Sequence, residues 1–157
     1  MRRALTVLFA AFVLAALVLP SAASASTWSV KDPSGARMGR VVKTSSRKAN
    51  VYYRTGTKGG SVQWTGSEGY RAYKYLPGDT GVRKQARIVD MSTTGGAPWW
   101  INSEIGGHGG FAQMEGGRWT VRSIADGPGR PVCGRVSGGC PGWVAAGAVY
   151  ILSKRVR

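Results

Sequence analysis

Acidic side chains are scarce in this chain: 7 Asp and Glu stand against 22 Lys and Arg, a formal charge of +15. Histidine occurs once, at His108, and cysteine twice, at Cys133 and Cys140. A single histidine excludes a His-rich metal centre, and two cysteines are too few for a disulfide-dense scaffold or a Cys-rich zinc site. No metal and no cofactor is therefore expected. A nucleotide-binding glycine motif and a nucleophile elbow are both missing, so no catalytic class announces itself. Nor does any stretch after residue 25 keep helical apolar spacing without an interrupting Gly or Pro.

What is present begins with an N-terminal export pattern. Arg2 and Arg3 precede an apolar run from Ala4 to Leu19, broken only by Thr6 and ended by Pro20. Ala23-Ser24-Ala25 then supplies small residues for a signal peptidase, with cleavage expected before Ser26. As a helix the run would rise about 24 Å, short of a hydrocarbon core of roughly 30 Å, which argues against an uncleaved membrane anchor. The expectation is a secreted chain of residues 26–157 without a transmembrane segment, monomeric, with a possible subdivision near residues 80–87.

That mature chain reads as all-β. Short runs rich in Val, Tyr, Trp and Ile alternate with turn residues, the pattern of hairpins in a small barrel or sandwich with little helix. Strands are expected near Trp28–Val30, 37–42, 49–54, 61–64, 70–76, 86–91, 99–102, 118–124, 132–136 and 143–151. Two hairpins look alike. Val30, Gly35, Arg37, Gly39 and Val41 repeat 21 residues later as Val51, Gly56, Lys58, Gly60 and Val62. The first Gly of each set suits a turn needing positive φ, the second a bulge or a close backbone approach. A looser third copy runs from Trp119-Thr120-Val121 through Asp126-Gly127 to Gly134-Arg135-Val136.

In an oxidising compartment Cys133 and Cys140 are expected to form a disulfide. Closing so short a ring would stabilise the fold by roughly 2.5 kcal/mol. The same ring displays Arg135, which also admits a protease-inhibitor loop, though its three glycines favour a structural staple.

Charge points to a partner. Thirteen basic and three acidic residues fall between residues 26 and 87, a balance that attracts polyanions such as cell-wall polymers, glycans or nucleic acid. Within it Tyr70-Arg71-Ala72-Tyr73-Lys74-Tyr75 interleaves aromatics and cations. In a strand Arg71, Tyr73 and Tyr75 share one face, able to stack on sugar rings or bases. Arg71, Tyr73, Tyr75, Lys74, Arg54 and Trp64 are the candidate ligand contacts. Adjacent Trp99 and Trp100 cannot both pack on one face of a strand.

A catalytic alternative rests on His108, in Gly106-Gly107-His108-Gly109-Gly110, acting as general base with Glu104 or with Glu115, Asp90 or Asp126. A flexible glycine loop would hold such a base poorly, so the expected role is non-catalytic. The runners-up are a small hydrolase and an inhibitor or antibacterial protein.

Finally, Val132-Cys133-Gly134-Arg135-Val136 followed by Gly142-Trp143-Val144 and an apolar end resembles the close of bacterial SH3-like (SH3b) modules. Arg122 to Arg130 is similar to their early loop. The resemblance spans about residues 119–152, without the strands usually found between Val136 and Trp143. It implies a small barrel that binds cell-wall or extracellular ligands and is not an enzyme.

Overall fold

Ten strands emerge from these alternating segments: β1 Thr27–Lys31, β2 Arg37–Ser45, β3 Lys48–Tyr53, β4 Lys58–Trp64, β5 Tyr70–Tyr75, β6 Val82–Asp90, β7 Trp99–Ser103, β8 Gly107–Glu115, β9 Arg118–Ser123 and β10 Val132–Ser137. The computed structural model describes residues 25–75, 82–91, 99–104, 107–124, 129–154 and 156, without the side chains of 82–84 and 107–108. The expected export segment up to residue 24, the turn expected at Pro77-Gly78-Asp79, Asp126 and the His108 side chain lie outside that description. Every strand pairs antiparallel with its chain neighbours, and β1 pairs with β10, so the sheet closes as an up-and-down barrel. Closure leaves no open sheet edge to aggregate.

The inner wall is built from small residues. Facing inward are Val30, Val41, Val51, Val62, Val121 and Val136, with Ala49, Ala72, Ala86 and Ala112 between them, all buried. Ten strands about 4.8 Å apart and tilted about 40° enclose a backbone cylinder roughly 20 Å across. Side chains this short cannot fill it. The space is taken by helix α1, Gly142–Leu152, in which every residue is buried and which packs against all ten strands.

This helix corrects the strand expected at 143–151. Gly142-Trp143-Val144 opens a helix, and no final strand follows it among the described residues. The physical reason is hydrogen bonding. A segment on the barrel axis meets only side chains, so its N–H and C=O groups must be satisfied within the segment. An all-round apolar helix also has no amphipathic period to detect, and its eleven residues exceed the usual length of a buried strand. Full burial of Val144, Val149 and Ile151 contributes about 1.5–3 kcal/mol each relative to exposure.

Glycines set the clearance between helix and wall. A Cβ on Gly39 would collide with the Tyr52 carbonyl of the neighbouring strand and come 2.9 Å from Leu152 Cδ1, and one on Gly134 would come 3.0 Å from Val149 Cγ1. The same logic corrects the glycine-rich stretch after Ile101, expected as a flexible loop. It is strand β8, with Gly110 inward opposite Ile101 and Ser123. A Cβ there would clash with the carbonyl of Arg122, so this glycine allows close strand approach.

The two similar hairpins match in register and turn geometry. Val30 pairs with Gly39 and Val51 with Gly60, each followed by a bulge. Asp32 N–H donates to Ala36 O at 2.8 Å, and Tyr53 N–H, 21 residues on, to Thr57 O at 2.8 Å. Gly35 and Gly56 close the turns with φ of 92° and 91°. Ile101 opposite Gly110 and Val121 opposite Gly134 repeat the pairing around the barrel.

The expected disulfide is absent. Cys133 and Cys140 are both buried thiols, with Cys133 Sγ 3.6 Å from Pro131 O and Cys140 Sγ 3.5 Å from Pro141 O. β10 carries Cys133 four extended residues from Ser137, where the turn to Cys140 begins (Cys140 N–H to Ser137 O, 3.1 Å). Four strand residues rise about 13 Å, whereas a disulfide needs Cα atoms within about 7 Å.

Candidate functional site

On the outer wall, register decides which charged side chains meet. Arg40 on β2 lies opposite Tyr52 on β3, with its guanidinium 5.3 Å from the ring centroid. Lys58 on β4 places its ammonium 5.7 Å from the Tyr75 ring. Tyr73 lies opposite Ser61, whose hydroxyl is 3.3 Å from the Tyr75 hydroxyl. Two cation–π pairs and a third tyrosine thus share one outer face across β2 to β5.

The ion pairs sit elsewhere. Arg71 is held by Glu68 and Glu104, and its Nη1 also donates to Gln85 Oε1 at 3.3 Å. These carboxylates and their hydrogen bonds push the Arg71 pKa further up. Arg122 pairs with Glu115 at 3.1 Å and pulls that carboxyl below the usual range. Among the described residues no cation of β1 to β4 takes part in a salt bridge, although eight lie between Lys31 and Lys58 and seven of them are exposed. The one acid among them, Asp32, is occupied by its own turn through Ser34 Oγ and Ala36 N–H. Eight cations and a single acid satisfied by its own turn thus gather on the β1 to β4 side of the barrel.

That face continues across the β1–β10 seam. Only Val30 with Val136 and Lys31 with Arg135 are paired there, and a groove of about 410 Å³ follows the line where the strands part. Lys31, Arg118 and Arg135 border it beside Trp28 and Ser137. Arg135 is anchored by donating to Pro33 O at 2.9 Å.

The sequence-derived candidates separate. Tyr73 and Tyr75 lie on the basic face. Arg71 is on the outer wall but ion-paired. Lys74 points into the barrel, where its Nζ donates to Ser153 O at 3.0 Å and Tyr150 O at 3.4 Å at the end of α1. Arg54 is exposed in the β3–β4 turn, beside Met38 and Tyr53. Trp64 ends β4 at the opposite mouth from that turn. Glu104 is taken up by Arg71, and His108 lies on β8 opposite Asn102. Trp99 packs inward against the core, while Trp100 faces out beside Phe111 at 6.3 Å. Sequence reasoning missed Arg40, Tyr52 and Lys58 as a group, because they lie on three successive strands and line up only through strand register.

A second cluster occupies one mouth. In an up-and-down barrel odd strands begin where even strands end, which brings Trp28, Trp64, Tyr70, Trp99 and Trp119 to the same rim as Trp143 of α1. Tyr70 stacks on Trp143 with centroids 4.2 Å apart and planes 10° from parallel. Trp64 and Trp99 meet Tyr70 edge-on at 5.1 and 6.1 Å. Trp119 Nε1 donates to Cys140 O at 2.6 Å. Trp64, Glu68, Tyr70, Arg87, Asp90 and Trp99 line a cleft of about 380 Å³ at this rim.

Among the described residues no group of His, Cys, Asp and Glu could hold a metal ion, and no helix is long and apolar enough to cross a membrane. Comparison with protein families, curated proteins and solved structures finds no match to this chain.

Proposed function

We propose that this chain is a secreted, non-catalytic binding protein for an anionic extracellular or cell-envelope polymer, engaged by the outer wall of β1 to β5 and the seam with β10. The observation that carries the reading is charge segregation. Arg71 of β5 and Arg122 of β9 are paired with glutamates, while among the described residues the cations of β1 to β4 enter no salt bridge, and Arg40 and Lys58 lie over tyrosine faces. Arg40 and Lys58 would meet phosphate, sulfate or carboxylate groups of the polymer, with Tyr52, Tyr73 and Tyr75 offering flat surfaces to its rings. The export pattern at the N-terminus would bring the protein to such polymers.

The test is retention of the mature protein on purified cell wall, heparin and nucleic acid as salt is raised. Binding is expected to weaken steeply with salt through release of counterions. The double variant Arg40→Gln/Lys58→Gln should elute earlier and with a shallower salt dependence. Arg71→Gln, which removes a cation already paired, should elute with the parent. Elution of both variants with the parent would refute the reading, as would loss of the parent from all three supports by near-physiological salt.

A further inference from the structure

Only two large apolar side chains are exposed among the described residues, Trp64 at 42% and Met114 at 46%. Trp64 stands in the last rung of the β4–β5 ladder, opposite Tyr70, and forms one wall of the cleft at the aromatic mouth. Its neighbours are fixed in place. Tyr70 is clamped by stacking on Trp143, itself the second residue of the buried helix. Such a platform loses little freedom when something lands on it.

The polar lining differs from the basic face. Glu68 and Asp90 supply carboxylates, two of only 7 acids in the chain. Ser67 adds a hydroxyl. Arg87, the cation in the lining, uses its Nε on Glu68 O at 2.9 Å. With Glu68 paired to Arg71 and Asp90 beside Arg87, the lining carries no excess of cations and does not continue the basic face. Carboxylates accept hydrogen bonds from hydroxyl groups, and serine and guanidinium groups can donate to hydroxyl oxygens. An exposed indole offers a flat apolar surface beside them. A volume of about 380 Å³ falls within the range of small-ligand clefts, about 300–1,000 Å³.

We propose that this mouth is a second binding site, for a sugar ring of a neutral glycan, with Trp64 as the stacking platform and Glu68, Asp90 and Arg87 as hydroxyl partners. The site is separate from the polyanion face and has a lining of mixed charge. A protein with both would hold a charged polymer by its wall and a neutral saccharide by its mouth.

The experiment is a titration of the mature chain with chitotetraose and with cellotetraose, followed by tryptophan fluorescence and by calorimetry, at low and at raised salt. Saturable binding of at least one sugar, unchanged by salt, is expected. Trp64→Ala should weaken it about ten-fold or more, the scale of one lost aromatic contact. Asp90→Asn, which keeps the shape, should weaken it as well, and neither variant should alter elution from heparin. Failure of both sugars to bind would overturn the proposal, as would unchanged affinity in Trp64→Ala. A stronger response to tetramethylammonium than to either sugar would also overturn it, by making the rings a cage for an organic cation. Loss of heparin retention in Arg40→Gln/Lys58→Gln with sugar binding intact would separate this site from the basic face.

Discussion

Lys74 reaches from the inner wall of β5 to the main-chain oxygen of Ser153, 3.0 Å away, just past the end of helix α1. A second contact at 3.4 Å goes to the carbonyl of Tyr150, and the ammonium also lies 6.0 Å from the Tyr150 ring. Helix C-terminal carbonyls lack intrahelical donors and carry the negative end of the dipole, so a half-buried cation there satisfies both needs. Lys74→Met keeps the length of the side chain and removes the charge. It should cost about 1.5–3 kcal/mol, the range for hydrogen bonds to charged groups, measured by urea unfolding. A variant as stable as the parent would show that the contact contributes nothing.

Gly147 on α1 faces Val62 of β4 so closely that a Cβ would come 2.9 Å from Val62 Cγ1 and nearer still to Cγ2. Gly147→Ala should gain about 1 kcal/mol of helix propensity and lose about 1–3 kcal/mol to overpacking. Val62 cannot yield, since it is fully buried and paired between Ala49 and Ala72. The net effect is therefore destabilising, and Val62→Ala in the same chain should recover part of the loss. A double mutant no more stable than the sum of the two singles would contradict this packing account.

Gly35 and Gly56 occupy equivalent turns, and a Cβ on either would meet nothing within 4 Å. Alanine at each should thus be penalised by backbone strain alone, about 1–2 kcal/mol for the left-handed conformation. Equal losses in unfolding free energy are expected. Losses that differ by more than about 1 kcal/mol would mean that the hairpins are not energetically alike.

Burial pushes the Cys140 thiol up to about 12. At pH 8 only about one molecule in ten thousand would carry a reactive thiolate. The native protein should resist a thiol-directed reagent at Cys140, and guanidinium unfolding without reductant should release two reactive thiols per chain. Finding none after unfolding would establish a disulfide between Cys133 and Cys140.

Arg122 holds the Glu115 carboxyl below the usual carboxylate range. A depressed pKa makes this contribution complete above the unfolded glutamate value, about 4.3, and removes it as pH falls through the lower folded value. The pair is partly exposed, so Glu115→Gln should cost only about 0.2–1 kcal/mol at pH 6. The gap between variant and parent should shrink as pH is taken below about 4. A gap that persists in acid would assign the effect to packing.

How much was legible before folding depends on whether a signal is local. Gly35 and Gly56 were readable because a turn needing positive φ selects glycine within a few residues. The alternation of Tyr70 to Tyr75 announced two faces, and both were realised, Tyr73 outward and Lys74 inward. Which face met solvent was not readable, since alternation is symmetric until something occupies one side. Strand β8 was hidden because a run of glycines reads as flexibility in sequence, and Gly110 becomes a point of close strand approach only inside a closed sheet.

The amino-acid sequence by itself determined the all-β character, the hairpin turns, the excess of positive charge and most strand positions, all of which follow from period, turn chemistry and composition. Tertiary structure alone decided that Gly142–Leu152 is a helix. Its apolar residues have no intrinsic period, and only enclosure by ten strands forces their backbone to satisfy itself. It also decided that Arg40, Tyr52, Lys58 and Tyr75 share a face, and that tryptophans from Trp28 to Trp143 crown one mouth. Those groupings depend on strand parity and register, which bring together residues that the chain keeps far apart.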